Sequence, residues 1–452
     1  MENRFLLYGW ISQLVGEFGL LWSFALRGTV TDPDRSTSGS SEQSAVIRRV
    51  IYLVESPLSL RDHARFDVGG WMTAGVMVEV WEVNEVFLPR SVEMLIERPI
   101  GCRIRNFSSI GELSAACRHL TSSTAVILIS GVYVGQFDTH LPMMLSLMNS
   151  RAVLTTVSAG QRPPTPAFSD GSRRASVYTS RIRRQLRALR NHQITIPALA
   201  QRVAQRLRSS VFLLRARFTG SGLRSLDWIW AGTDVTSISP EFVGAHTKIR
   251  YLHTWDYDLI LRTGSLLESR PSAPVYLDAM GPLHPDFKVL SYEVEVSAND
   301  WFGLIDAFLT QIEERLGQDV IIAAHPRALV GSLDQLYRGR RVLYGQTASL
   351  IASASVVLVS NPTTSLGMVA LYGKPAVALR MPNLWHGFWL EMNEYVGQMG
   401  LELLDAGSIP ESWVPKNVDS DAYSKFIQCY VKRRDTPDDP FWEAVRRDLL
   451  GT

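Results

Sequence analysis

The sequence predicts an α/β protein of two doubly wound, parallel-sheet domains facing a cleft and joined near residue 270. Three observations predict it. The chain has 452 residues, too many for one ordinary core. Short apolar runs rich in β-branched residues recur along it, as expected of strands buried on both faces. Those runs alternate with helical segments at the spacing of βαβ units.

Composition narrows the class. Hydrophobic residues make up 46% and charged residues 20%, which suits a globular chain and excludes a disordered or fibrous one. The odd number and wide spacing of Cys102, Cys117 and Cys429 argue against a disulfide framework and fit a reducing cytoplasm. Residues 5–30 are rich in Leu, Phe and Trp. Gln13, Glu17 and Arg27 interrupt them, so no run reaches the ~20 apolar residues of a bilayer span. The basic start, apolar run and cleavage site of a secretory signal are missing as well. Residues 1–44 therefore read as an appendage with a Ser-rich linker at 31–43. The appendage is an interfacial helix, or a segment translated from a start codon upstream of the true one.

The first domain is expected over 45–270. Residues 46–55 end in an apolar strand, Ser56-Pro57 breaks it, and 61–74 read as the following helix. A strand at 76–83, a helix at 110–120, a strand at 125–131, a helix at 141–149 and a strand at 152–156 continue the alternation. Residues 161–172 form a Pro/Ser-rich loop. Between Arg173 and Arg217 stand twelve arginines and no Asp, Glu or Lys. Leu186, Leu189, Leu199, Val203 and Leu207 recur there at roughly helical spacing, predicting an arginine-rich helical insertion. Such a face is a solvated surface, a nucleic-acid surface or a contact with anionic lipid. No nucleic-acid motif accompanies it, and the membrane surface is the preferred partner. Strands at 227–232 and 248–253 close this half.

The second domain is expected over 271–452. A strand at 275–278, an amphipathic helix at 300–316, a buried strand at 319–324 and a short one at 342–344 open it. A helix at 347–353, a strand at 355–360, a helix at 365–371 and a strand at 374–379 follow. Open sheets of this kind bind ligands beyond the carboxyl ends of their strands, so residues placed there carry the chemistry.

Three segments qualify. In Ala324-His325-Pro326-Arg327 the imidazole directly follows a buried strand, Pro326 ends that strand, and the arginine adds a cation. The pair suits a phosphate or a leaving oxygen. In Asn361-Pro362-Thr363-Thr364-Ser365 three hydroxyl residues meet a helix start, where N–H groups and the helix dipole favour an anion; one N-cap needs only one of them. In Asp278-Ala279-Met280-Gly281 a carboxylate ends a strand before a tight turn. It acts as a general base on an acceptor hydroxyl or merely caps the loop.

In that order, these motifs resemble those of bacterial sialyltransferases, polysialyltransferases and related capsule transferases that use CMP-activated ulosonic acids. The match lies within about 270–380 and is faint before it. The resemblance implies a GT-B-like pair of Rossmann-like domains. It also implies an inverting, metal-independent transferase whose co-substrate is a CMP-linked sugar and whose acceptor is a surface glycan or lipid-linked glycan. Carried over, Asp278 is the base and His325 the phosphate contact or acid, with Arg327, Thr363, Thr364 and Ser365 holding the phosphate. The family usually has two acidic residues before the glycine, whereas here Ala279 and Met280 intervene. Asp256, Asp258 or Glu55 of the facing domain is therefore an alternative base.

Other residues weigh less. His386, within an aromatic segment after the strand at 374–379, is a candidate for the base or acceptor pocket. His284-Pro285 reads as a loop feature. Asp256-Tyr257-Asp258 is the sole formal Asp-x-Asp, and no cluster at metal-ligand spacing accompanies it, so neither metal nor cofactor is implied. The absence of a Walker loop and of Gly-x-Gly-x-x-Gly argues against a kinase, an ATPase or an NAD enzyme. The alternatives to the transferase are a CDP-polyol phosphotransferase of teichoic-acid type, a UDP-sugar epimerase, and a non-catalytic nucleotide-binding member of a polysaccharide-assembly complex. The expected location is cytoplasmic, peripheral at the inner membrane.

Overall fold

The computed structural model describes residues 46–87, 98–129, 143–144, 146–160, 163, 224–233, 242–263, 273–285, 287, 294, 296–381, 386–405 and 409–452. The expected appendage at 1–44 and the arginine-rich segment at 173–217 lie outside the described residues.

Two parallel sheets form the frame. The first runs in the order β3-β2-β1-β4-β5-β6-β7, with β1 Arg49–Val54, β2 Met77–Glu82, β3 Arg103–Asn106, β4 Thr124–Ile129, β5 Val153–Ser158, β6 Trp228–Ala231 and β7 Lys248–Tyr251. The second runs in the order β10-β9-β8-β11-β12-β13, with β8 Ala273–Leu277, β9 Ile321–Ala323, β10 Val342–Leu343, β11 Ala354–Val359, β12 Ala376–Arg380 and β13 Glu402–Asp405. Every pairing is parallel. Both sheets thus have the doubly wound strand order, with switch points at β1/β4 and β8/β11.

Alternation along each strand explains why both faces are covered. In β1, Ile51 and Leu53 enter one apolar cluster, while Val50, Tyr52 and Val54 enter another on the opposite face. In β11, Val357 and Val359 face one cluster, and Val356 and Leu358 the other.

The helices that bear on the site are short. The expected helix at 61–74 is two, α1 (Leu60–Arg65) and α2 (Val68–Thr73). Asp67, at φ 50°, breaks the run in the left-handed region that few side chains enter. Further along come α3 (Asn84–Phe87), α4 (Ile110–Cys117) and α5 (Trp255–Thr263). The long helix α6 (Ala298–Leu316) starts at Ser297, whose Oγ accepts from Asp300 N, and stops at Gly317. Its buried Trp301, Phe302, Ile305, Phe308, Leu309 and Ile312 make one stripe. Then follow α7 (Thr347–Ser353), α8 (Leu366–Leu371), α9 (His386–Met399), α10 (Ser420–Phe426) and α11 (Phe441–Leu450).

The expected second domain, 271–452, does not keep its last helix. Phe441, Trp442, Ala444, Val445 and Leu449 of α11 are buried in the cluster built on β1 and β2. The returning chain passes His253, which bridges Lys432 in antiparallel fashion, and Thr254 N donates to Val431 O at 2.9 Å. Asp448 ties α11 to the first sheet, accepting from Trp230 Nε1 at 2.8 Å and Arg250 at 2.5 Å. A helix goes where its apolar stripe finds an uncovered face, and chain order does not decide which.

Candidate functional site

At the switch point of the second sheet, Asp278 directly follows β8 and is buried. Its Oδ1 accepts from Met280 N at 2.9 Å and from the Tyr337 hydroxyl at 2.5 Å. Its Oδ2 accepts from His325 N at 3.1 Å. Burial raises its pKa, and these donors oppose the rise. Both oxygens therefore face inward, which departs from the expected base: the carboxylate clips the loop after β9 to β8. Beneath it, Tyr276 and Ser360 share a hydrogen bond of 2.6 Å. Gly281, at φ 46°, packs so close to Trp301 that a Cβ would overlap the indole; this requires glycine at the turn.

His325 lies two residues beyond the end of β9 and is half-buried. Its Nδ1 accepts from Arg327 N at 3.2 Å, so the proton of the neutral ring sits on Nε2. Burial pushes the imidazole down to about 2, with His284, Arg327 and Arg61 adding to the effect. The ring is a neutral donor. His284, expected to be a loop feature, meets it edge to face at 4.8 Å. Pro326 and Arg327 are exposed beside it.

The hydroxyl loop after β11 is half-buried. Thr363 Oγ1 accepts from Ser365 N at 3.2 Å, so Thr363 serves as the local cap. Ser365 makes no side-chain cap bond. Thr364 and Gly367 line a small crevice together with Thr254, Asp256, Tyr395 and Tyr430. The crevice therefore joins the start of α5, on the first domain, to the phosphate-suited loop of the second.

Asp256 and Asp258 divide. Both lie in the first turn of α5, and two residues on a helix point to different sides. Asp256 faces the cleft. Asp258 is buried, accepts from Phe441 N at 2.7 Å and pairs with Arg262 at 2.6 Å. It caps α11, whose N-cap residue, Pro440, offers no side-chain bond. This excludes Asp258 as a pocket residue and removes the formal Asp-x-Asp as a metal site. Glu55 is buried at the end of β1. His386 opens α9, but its side chain lies outside the described residues.

Two arginines that the sequence did not single out stand on the first domain. Arg61 and Arg65 lie on α1, just beyond the carboxyl end of β1. The Arg65 guanidinium sits 4.0 Å over the Trp255 ring. Burial and Arg61 lower its pKa to about 10, Asp256 and Asp62 oppose this, and Arg327 adds to it.

Fold and site together define a GT-B-like chain of two Rossmann-like domains, with an anion-suited constellation where the second sheet reverses order. No protein family and no curated protein sequence matches it. Solved structures resemble it at low identity. The spinosyn forosaminyltransferase SpnP is 14% identical over 89% of this chain and 95% of its own, at a TM-score of 0.39. A calicheamicin glycosyltransferase is 12% identical over 90% and 98%, at 0.46. A UDP-N-acetylglucosamine 2-epimerase is 12% identical over 90% and 96%, at 0.41.

Proposed function

We propose that the chain is a nucleotide-sugar-dependent glycosyltransferase, inverting and metal-independent. In this reading it moves a sialic or related ulosonic acid from a CMP-activated donor to a bacterial surface glycan. One observation carries it: His325, whose Nδ1 accepts from Arg327 N so that Nε2 carries the proton of the neutral ring, and Arg327 follow β9, while the Thr364 loop follows β11, and these two strands flank β8 where the strand order reverses. A departing nucleotide phosphate requires donors and positive charge aimed at it, and this strand end supplies both. The choice of CMP rests on the order of the sequence motifs.

Roles follow from the geometry. His325 donates a hydrogen bond to the phosphate oxygen, and accumulating negative charge raises its affinity for a proton. Arg327 and the loop at 363–365 neutralise the phosphate. Asp278 positions His325 through its backbone. The acceptor hydroxyl then loses its proton to a first-domain carboxylate, Asp256 ahead of Glu55, because Asp256 lines the shared cleft. Among the described residues no helix is long and apolar enough to cross a membrane; peripheral attachment through residues 173–217 completes the proposal for a lipid-linked acceptor.

The test is calorimetric titration with CMP, CDP, UDP and GDP, repeated on His325→Ala, followed by transfer assays with the matching donors. Selective CMP binding that His325→Ala loses supports the reading, and preference for UDP redirects it to another transferase or an epimerase. Because Asp278 is engaged inside the fold, a non-catalytic nucleotide binder is the second reading, selected by binding without turnover of any donor.

A further inference from the structure

Asp278 holds two loops at once. Its Oδ2 accepts from His325 N, in the loop after β9, and its Oδ1 accepts from Met280 N, in the loop after β8. The loop after β8 is a strained turn. Met280 stands at φ 56° and Gly281 at φ 46°, so two successive residues occupy the left-handed region, which is costly for the one with a side chain. Trp301 closes on Gly281, while Leu283 N and His284 N donate back to Met280 O and Gly281 O at 2.9 and 3.2 Å. A turn constrained at so many points ends in His284. The His284 ring meets that of His325 edge to face, with centroids 4.8 Å apart and planes at 77°. One buried carboxylate thus secures both loops that bring two half-buried imidazoles into contact.

The contact has a charge preference. An edge-to-face pair sets the positive rim of one ring on the negative face of the other. One proton on such a pair is tolerated, and a second at this separation is repelled. Burial, His284, Arg327 and Arg61 all disfavour a proton on His325, and its Nδ1 is already engaged by Arg327 N. An added proton therefore goes to His284. The acidic groups packed under these loops, Asp278 and Tyr337, are hydrogen-bonded to each other. An anion seated on the two rings offsets the burial of one positive charge there.

We propose that His284 and His325 form an imidazole pair that binds one oxyanion of phosphate type and takes up one proton from solvent as it does so. The natural ligand, the phosphate of a leaving nucleotide, rests on the function proposed above; the pair itself does not. The proton balance closes on binding alone: a proton passes from the medium to His284 when the anion arrives and returns when it leaves.

The experiment is calorimetric titration of the full chain with sodium sulfate and with CMP near neutral pH. It is run in two buffers of different ionisation enthalpy, on wild type, His284→Gln and His325→Gln. Sulfate is a dianion with no titrating proton near neutrality, so protons counted with it belong to the protein. Wild type takes up about one proton per sulfate. His284→Gln weakens sulfate binding by about tenfold and leaves almost no uptake. Absent or proton-neutral sulfate binding by wild type overturns the pair, and that measurement needs no variant. Weaker binding with undiminished uptake in His284→Gln overturns it as well, since His284 would then only shape its loop. If CMP binding needs His325 while neither its affinity nor its protons depend on His284, the pair falls and the proposed function stands. If sulfate binding and uptake need both histidines and no nucleotide binds, the pair stands and the proposed function falls.

Discussion

Replacing Trp442 tests whether the last helix belongs to the first domain. The ring is about 1% exposed, with centroids 5.5 Å from Tyr52 and 6.4 Å from Phe66. Its Nε1 donates to the Arg65 carbonyl at 2.6 Å. Trp442→Ala removes the ring and costs about 3–5 kcal/mol. Trp442→Phe keeps most of the apolar contact and strands the carbonyl, for about 1–3 kcal/mol. Urea unfolding followed by far-UV circular dichroism gives both numbers from the shift in midpoint, provided the slope is unchanged. The Phe variant should fall between wild type and the Ala variant. A loss below about 1 kcal/mol for Trp442→Ala would refute the reasoning, since α11 would then not be part of the core around β1.

Four further outcomes are expected. Gly281→Ala should cost at least about 2 kcal/mol, because the added Cβ overlaps Trp301 and the backbone is at φ 46°; a thermal melt reads this. Asp278→Asn turns an NH2 toward one of the donors it now satisfies, so it should lower the melting temperature and weaken CMP binding together; lost turnover with intact fold and binding would restore Asp278 as the base. Asp258→Asn should destabilise the protein by about 1–3 kcal/mol and leave turnover insensitive to EDTA, and an EDTA-sensitive wild type would reopen the metal reading. His325, neutral when folded, is pushed down to about 2, against about 6.5 unfolded. The unfolded chain therefore binds the proton first as pH falls. Stability is fully present above pH ~6.5 and is lost below it, with a slope of at most about 1.4 kcal/mol per pH unit. His325→Asn should flatten that slope in denaturation series run between about pH 7 and pH 5.

The parts of the fold legible in the sequence were those with a one-dimensional signature. Val50 to Val54 and Val356 to Val359 are apolar throughout because both faces of their sheets are covered, and such runs announce parallel strands. β3 (Arg103–Asn106) carried one apolar residue among charges, as an edge strand does, and gave no such sign. In α11 the stripe is plain, but nothing in it states which of two sheets it will cover. Residues 61–74 have helical periodicity, yet Asp67 turns the chain into two helices. His325, Arg327 and the loop at 363–365 stood out in the sequence as candidates because each lies within a few residues of the end of a buried strand. The role of Asp278 was not. Its fate depends on Tyr337, 59 residues later, and a lone carboxylate at a strand end looks the same whether it serves chemistry or the fold.

The first domain holds Arg65 at both ends. Trp255 lies under its guanidinium and Trp442 anchors its carbonyl. Trp255 opens α5, and the same helix carries Asp256 at the cleft and Asp258 at the start of α11. The segment that brings α11 back from the second domain is secured on this helix as well, where the Tyr257 hydroxyl donates to Asp438 at 2.6 Å. The helix that carries Asp256 at the crevice is therefore also the helix on which the chain returning from the second domain is fastened, so a change at Tyr257 or Asp258 should disturb α11 and the placement of Asp256 together.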